Sequence, residues 1–470
     1  MPTPSPQTVS SVAAWYDTWL AHRARVLRVP GVQAAVRSDG DLILSAAHGA
    51  ADLAGPTPLT TRHLFQIASH SKTFTAVALL QLAESGALRL DDTVGHWLPD
   101  LVETAPDVAQ RTLRQLLCHG GGIVRDGHDG DHWVLGLPFP DRERLLAIVV
   151  DDAAVFPADR DFKYSNIAFG LLGLVVEAAS GFPYNVYVRT RIVDVLGLAD
   201  TGPEYVSARA DDFATGYTAL ALGDRLPVDH VDTGELAAAT GFYATAEDLT
   251  AYFSAHLPGD TRLLSDDAKR SMRRQEWAVE DGGYGLGLIL STVRGRKLFG
   301  HSGGYPGHIT KSLVDPEDRL VVSVLTNAVD GPAAGLADGF FTLLALATDP
   351  ATVVPPVPDG LDAARFTGRY ANLWGVSDVV LLGDRLFLLD PDQVDPARDA
   401  TPLAVEDATT LRITEKSGYG SPGEAMHFVF DDDGAVLSVR GSSATTSVPL
   451  ERWRADVAGL DRITAPALDL

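Results

Sequence analysis

Apolar residues recur along this chain with two periods, and the change between them divides it. Residues 11–28 carry an amphipathic helical pattern, with Val12, Trp15 and Trp19 on one side of Arg23, Arg25 and Arg28. Residues 31–37 and 41–47 alternate as strands around the turn Ser38-Asp39-Gly40. Residues 73–84 are rich in Ala, Leu and Val without a breaker, and Gly86 follows, so a helix is predicted with Ser69 in its first turn. Residues 112–117 read as a short helix running into His119-Gly120-Gly121-Gly122, and 123–140 as a loop. Helical periods return at 141–150, 167–180 and 184–196, then loosen at 217–231. Thr245 caps a further helix, with Asp248 at its third position. Strands are predicted at 284–290, 296–300, 310–315 and 319–326, before a closing helix at 333–347. Strands at both ends with helices between them define an α+β fold in which sequence-distant strands share one sheet.

The proline-rich stretch 349–358 breaks this texture. Short alternating segments follow at 376–382, 385–389, 409–414, 426–430, 436–440 and 447–453, separated by turn signals such as Gly383-Asp384 and Asp431-Asp432-Asp433-Gly434. These predict a small antiparallel barrel. The expected division is a first domain at 1–348, a linker at 349–360, the barrel at 361–457 and a tail at 458–470. No internal repeat is visible.

The formal charge of −24 over 470 residues argues against nucleic-acid partners and against an anionic membrane surface. Cys118 is the sole cysteine, so no internal disulfide forms. The segment from Met1 to Pro6 lacks a basic region followed by an apolar core, and no apolar run approaches about 18 residues. A cytoplasmic protein without membrane association is the expectation.

Three clusters carry candidate chemistry. On a helix, residues three apart share a face, which sets the Ser69 hydroxyl beside the Lys72 amine. Serine is a poor nucleophile until a neighbouring base takes its proton, and a lysine serves only when burial or nearby positive charge lowers its pKa. The chain has six lysines against thirty-two arginines, and an arginine could not be deprotonated at this position. The second cluster is Tyr164-Ser165-Asn166. Its phenol could relay a proton to a leaving group, with Lys163 or Lys72 lowering its pKa, and its amide could orient substrate or Lys72. The third is His301-Ser302-Gly303-Gly304, where paired glycines let substrate backbone approach a strand edge and a backbone N–H can complete an oxyanion hole. His301 could add a hydrogen bond or a positive charge.

In this order, Ser69-x-x-Lys72, Tyr164-x-Asn166 and His301-x-Gly303 resemble the motif set of serine β-lactamases and penicillin-binding proteins. The branch they look most like contains class C β-lactamases, D-aminopeptidases and esterases. The resemblance covers roughly residues 10–347. It implies an antiparallel sheet flanked by helices, with a helical subdomain. By position it makes Ser69 the acylated nucleophile and Lys72 its base, and gives Tyr164 the protonation of the leaving group. The N–H groups of Ser69 and Gly304 would form the oxyanion hole, and Asn166 would bind the substrate amide. Trp133, Gly303 and Tyr305 are expected at the substrate cleft, with packing between loops as the alternative for the two aromatics. His301 stands where lactamases and transpeptidases carry lysine, so a permanent charge for a substrate carboxylate is missing, which favours amides and esters. The segment His119 to Gly122 sits where relatives often have His-Thr-Ser-Gly, and no role is assigned to it. From Phe366-Thr367-Gly368-Arg369-Tyr370 the barrel resembles the lipocalin-like domains that some members append.

The implied activity is a cofactor-free, metal-free serine hydrolase working through an acyl-enzyme on a small amide, peptide or ester, with a D-residue at the acyl position as the family resemblance implies. A second reading hands the acyl group to an amine, as cyclising thioesterases of this type do, and a third is a sensor that stays acylated. A homo-oligomer is compatible with each. Three further patterns are set aside. Gly300 to Gly304 also fits Gly-x-Ser-x-Gly, but the helix that a Ser302 nucleophile elbow needs does not follow. The loop from Asp126 to His132 reads as a solvated acidic loop, and Cys118 beside His119 as packing.

Overall fold

The computed structural model of the protein describes residues 3–55, 57–280, 282–352, 354–355, 357–414, 421–441 and 444–463. Two linker positions, 353 and 356, and the end of the tail from 464 lie outside these. The chain divides into one unit of residues 24–338 and a second that joins 1–23 to 339–470.

The first unit is built on a nine-stranded antiparallel sheet. Its order is Thr57–Pro58, Asp41–Asp52, Gly31–Ser38, Leu320–Thr326, His308–Asp315, Arg296–Tyr305, Ile289–Val293, Gly282–Tyr284 and Trp277–Val279. The N-terminal hairpin thus pairs with the last strand, Val32 lying opposite Thr326. Sequence-distant strands do share one sheet, as the α+β reading expects.

The helix Ser71–Glu84 is buried from Ser71 through Leu80. A helix with no exposed stripe needs no polar face, which is why its sequence is apolar nearly all round. Phe74 stacks on Phe242 at 4.1 Å and on Tyr252 at 3.8 Å. The helix Asn166–Ser180 is buried over its first eleven residues and packs in the same core. Among the described residues no single helix is long and apolar enough to cross a membrane.

Several predicted elements change. The strand expected at 284–290 is two strands, Gly282–Tyr284 and Ile289–Val293. Between them Gly285 N–H bonds Leu288 O, and Gly287 takes φ +67° where a β-carbon would meet Ala76 Cβ at 2.8 Å and Lys72 O at 3.0 Å. The glycines there let the turn approach the central helix rather than continue the strand. The helix expected at 184–196 is interrupted by a π turn at Arg189–Val193. Thr245 does cap its helix, accepting from Asp248 N–H at 3.2 Å. The Asp248 carboxylate, however, turns to Asp200 N–H and the Thr201 hydroxyl.

In the second unit eight strands from Gly368–Asn372 to Thr446–Pro449 close into a barrel in sequence order. Phe366, Tyr370, Leu403, Leu411 and Phe428 belong to its buried core. Strands Gly368–Asn372 and Thr401–Val405 add to those predicted, and the last predicted strand stops at Pro449 before the helix Leu450–Val457.

The N-terminal helix Pro6–Val26, expected with the first domain, groups through Arg23 with this unit. Trp15 Nε1 donates to Asp378 at 3.0 Å, and Arg369 forks onto the same carboxylate with two bonds of 2.7 Å. Gly339 seats the Trp19 ring, whose nearest atom would lie 2.5 Å from a β-carbon there.

Candidate active site

Ser69 lies in a 3₁₀ turn, Ala68–His70, that leads into the helix Ser71–Glu84. Ala68 has φ +46°, a left-handed conformation that a residue with a β-carbon adopts only under constraint. Buried partners supply the constraint. Ser71 Oγ donates to Ala68 O at 2.6 Å and accepts from Phe242 N–H at 3.0 Å. His70 donates from Nδ1 to Ile67 O at 3.1 Å, and its Nε2 accepts from Ser312 Oγ at 3.0 Å. The turn carrying Ser69 is therefore tied to the sheet and to the loop ahead of Phe242.

Lys72 is fully buried. Its Nζ lies 3.1 Å from Ser69 Oγ, 2.7 Å from Asn166 Oδ1 and 2.9 Å from Ala239 O. The last two groups can only accept, so they take two hydrogens. A neutral amine has just two, and its lone pair is left for Ser69. Burial lowers the Lys72 pKa well below that of an ordinary lysine, opposed by the charge of Asp126 and aided by Arg125. Desolvation favours the form that can act as base, and the geometry accommodates it. Ala239 belongs to a π turn at Ala237–Gly241, which presents its carbonyl to the site.

Asn166 opens its helix behind the cap Ser165, whose Oγ accepts from Ala168 N–H. Of the two roles open to its amide, holding Lys72 is the one in place. Its Nδ2 donates to Asp126 Oδ1 at 2.7 Å, and Trp133 Nε1 donates to the same oxygen at 2.9 Å. Trp133 is partly buried and braces Asp126 with the polar edge of its ring.

The Tyr164 phenol lies beside the Ser69 side chain. Burial pushes its pKa up, and the neighbouring Ser69 hydroxyl and the charge of Arg125 oppose that rise only in part. The expected lowering by Lys163 or Lys72 does not govern this group, and at neutral pH it is a phenol able to donate. The Lys72 amine lies 4.9 Å from the Tyr164 ring centre and the Arg125 guanidinium 5.2 Å.

His301 enters on the strand Arg296–Tyr305. Its Nδ1 donates to Ser302 O at 2.7 Å, which leaves Nε2 to accept from the Tyr284 hydroxyl at 3.2 Å. Burial lowers its pKa well below the ordinary value, with His70 and Lys72 adding to the effect. Of the two contributions expected of His301, the positive charge is removed.

Two other expectations are corrected. Gly303 does not open the strand to substrate: a β-carbon there would sit 2.1 Å from Ile67 O, so the glycine makes room for the turn carrying Ser69. Gly304 is exposed, and the only atom near a β-carbon there is Ile309 Cδ1 at 3.6 Å. Tyr305 does not line open space either. It is 2% exposed, and its hydroxyl accepts from Val231 N–H and donates to Val231 O. Ser302 sits mid-strand opposite Lys311, with no helix after it.

Four groups that sequence reasoning did not place belong to the site: Asp126, Ala239 O, Tyr284 and His119. The buried His119 ring lies 4.2 Å from that of Tyr164 and 4.8 Å from that of Tyr284, and its Nδ1 accepts from Ser165 N–H. Its position in the motif-like segment 119–122 was the one signal available. Asp126 is spent on Asn166, Trp133 and Arg125, and among the described residues no group of three His, Cys, Asp or Glu could hold a metal ion.

A serine beside a desolvated lysine, a buried phenol and an antiparallel sheet beside a helical region are the arrangement of a serine acyl-transfer enzyme of the lactamase type. The beta-lactamase family model matches residues 17–347, and the chain belongs to that family. It is a serine hydrolase. It is 29% identical over 396 residues to "Penicillin-binding protein 4" of Amycolatopsis lactamdurans, covering 77% of this chain and 98% of that one. Among solved structures it resembles a D-stereospecific amidohydrolase from Streptomyces sp., with 25% identity, TM-score 0.59, and 74% of this chain and 100% of that one covered. It also resembles SurE in complex with D-Leu, with 26% identity, TM-score 0.59, and 95% of this chain and 100% of the other covered.

Proposed function

We propose that the protein hydrolyses small amides, peptides or esters through an acyl-enzyme on Ser69, with a D-configured residue on the acyl side. The observation that carries the reading is the Lys72 amine, whose two hydrogens are claimed by Asn166 Oδ1 and Ala239 O while Ser69 Oγ faces the remaining valence. As Ser69 Oγ bonds to the substrate carbonyl carbon, its proton passes to Lys72. The oxyanion is received by the N–H groups of Ser69 and Gly304. Collapse breaks the bond to the leaving group, which takes the Tyr164 proton, and the Lys72 ammonium restores the phenol. Water then repeats the cycle on the ester, and Ser69 recovers its proton. His301 is neutral with both ring nitrogens engaged, which supports uncharged amide and ester substrates. The D-preference is supported by the likeness to the D-stereospecific amidohydrolase and to SurE, which has been solved with D-Leu.

Intact-protein mass spectrometry after a fluorophosphonate probe tests the nucleophile. A single adduct on wild type that is absent from Ser69→Ala is expected; an adduct surviving in Ser69→Ala moves the nucleophile elsewhere, Ser302 first. Paired D- and L-amino-acid amides then test the stereochemistry, and equal turnover of both removes that part of the reading. A thioester-linked peptide ending in a D-residue separates water from amine as acceptor, giving linear acid or macrocycle respectively.

A further inference from the structure

The base works only if its lone pair is aimed at Ser69, and that aim depends on which end of the Asn166 amide faces Lys72. An amide turned by half a rotation would present Nδ2–H instead of Oδ1, and this donor would capture the lone pair. Asp126 prevents the turn. Its Oδ1 is an obligate acceptor 2.7 Å from Asn166 Nδ2, and the indole N–H of Trp133 holds that same oxygen in place. The backbone adds a second clamp, since Arg125 O accepts from Asn166 N–H at 2.9 Å and Ile167 N–H at 3.2 Å. The Arg125 side chain then runs back over the Tyr164 ring, and its Nε lies 3.3 Å from Asp126 Oδ2.

We propose that Arg125 and Asp126 are a positioning pair for the catalytic base: Asp126 locks Asn166 so that the Lys72 lone pair points to Ser69, and Arg125 sets an opposing charge over Tyr164. This rests on the Ser69–Lys72 acylation reading above. The groups facing Lys72 are Ser69, Asn166, the Ala239 carbonyl, the Tyr164 and Phe169 rings, His119 and His301, with Asp126 and Arg125 behind them. His119 and His301 are held neutral by burial. Asp126 and Arg125 are thus the formal charges that bias the amine, and they do so with opposite sign.

The test is the second-order rate of fluorophosphonate acylation against pH for wild type, Asp126→Ala, Asp126→Asn and Arg125→Met, with thermal melting of each. Asp126→Ala frees the Asn166 amide, and its plateau rate should fall about 10- to 100-fold. Asp126→Asn keeps an oxygen for Trp133 and Asn166 but loses the charge that favours the Lys72 ammonium. Its plateau should stay within about 5-fold of wild type while its acid limb moves to lower pH. Arg125→Met removes the opposing charge, so its acid limb should move to higher pH. A merely structural role would lower rates without shifting the two limbs in opposite directions. Should Asp126→Ala fail to fold, the two charge variants decide. Wild-type acylation of Ser69 with unshifted or same-direction limbs overturns the positioning pair alone, whereas a wild type that does not acylate overturns it together with the hydrolase reading.

Discussion

Two lysines are buried in the first unit, and their surroundings differ by one acceptor. Lys269, 2% exposed, donates to Leu257 O and Asp260 O and pairs with Asp266 at 2.7 Å. Three acceptors, one of them a carboxylate, use all three hydrogens of an ammonium. Lys72 has two obligate acceptors and a hydroxyl. Burial alone therefore does not make a base. What separates the two sites is whether a valence is left for a group that can give up a proton.

The sharpest way to break this comparison is to exchange the chemistry of each lysine. Lys72→Arg supplies a cation that cannot be deprotonated, and acylation of Ser69 should fall by about 10²- to 10⁴-fold. Lys269→Met should leave acylation near wild type and cost roughly 1–3 kcal/mol of stability, because two carbonyls lose their donor. Denaturant unfolding and probe labelling of both variants check this, and a well-folded Lys269→Met that fails to acylate would remove the distinction.

A second pair sharpens the same contrast on the strand facing Lys72. Gly303→Ala drives a β-carbon into Ile67 O, so it should lower stability by about 1–3 kcal/mol and displace the Ser69 turn. Gly304→Ala meets only Ile309 Cδ1, at an ordinary contact distance of 3.6 Å, and should melt within experimental error of wild type. Equal melting temperatures for the two variants would contradict the close approach at Gly303.

The neutral histidines around the site give a pH signature. The His70 pKa is depressed to about 3, chiefly by burial. Its folded value lies below its unfolded one, so the unfolded chain binds the proton more readily. The stabilisation is complete above about pH 6.5 and is lost as pH falls through the range down to the folded value. At pH 5 the loss from His70 alone should be on the order of 2 kcal/mol. Unfolding free energies of wild type and His70→Asn measured from pH 7 to 5 should diverge in slope, and parallel curves would refute a neutral His70. Activity should rise with pH through a single limb set by Lys72, below its ordinary value, with no step from His301.

A smaller loss is expected of Tyr284→Phe. It removes one neutral hydrogen bond to His301 Nε2, so kcat/KM should drop about 3- to 10-fold with little change in melting temperature. A loss near that of Lys72→Arg would promote Tyr284 from positioning His301 to the chemistry itself.

Much of this site was legible in the chain. The spacing of Ser69 and Lys72 is a local geometric fact, and the structure brings their polar atoms to 3.1 Å. The strands predicted at 31–37, 310–315 and 319–326 reappear with small changes of boundary, and the one predicted at 41–47 begins a longer strand that runs on to Asp52. The strand expected at 284–290 failed because Gly287 answers to the backbone of Lys72, a neighbour distant in sequence. Tyr305 was misjudged for a related reason: an aromatic after two glycines reads the same whether its hydroxyl meets substrate or the backbone of Val231. Asp126 was read as part of a solvated loop because nothing in its neighbourhood shows that Asn166, forty residues on, needs an acceptor.

By itself the sequence determined the adjacency of Ser69 and Lys72, the family, the α+β order of elements and the presence of a second, β-rich region, because these rest on short-range periodicity and on the spacing of a few residue types. The tertiary structure decided the protonation and direction of each group. Lone pairs, tautomers and desolvation depend on acceptors such as Ala239 O and Asp126 and on donors such as Tyr284, which arrive from separate segments and leave no local pattern behind.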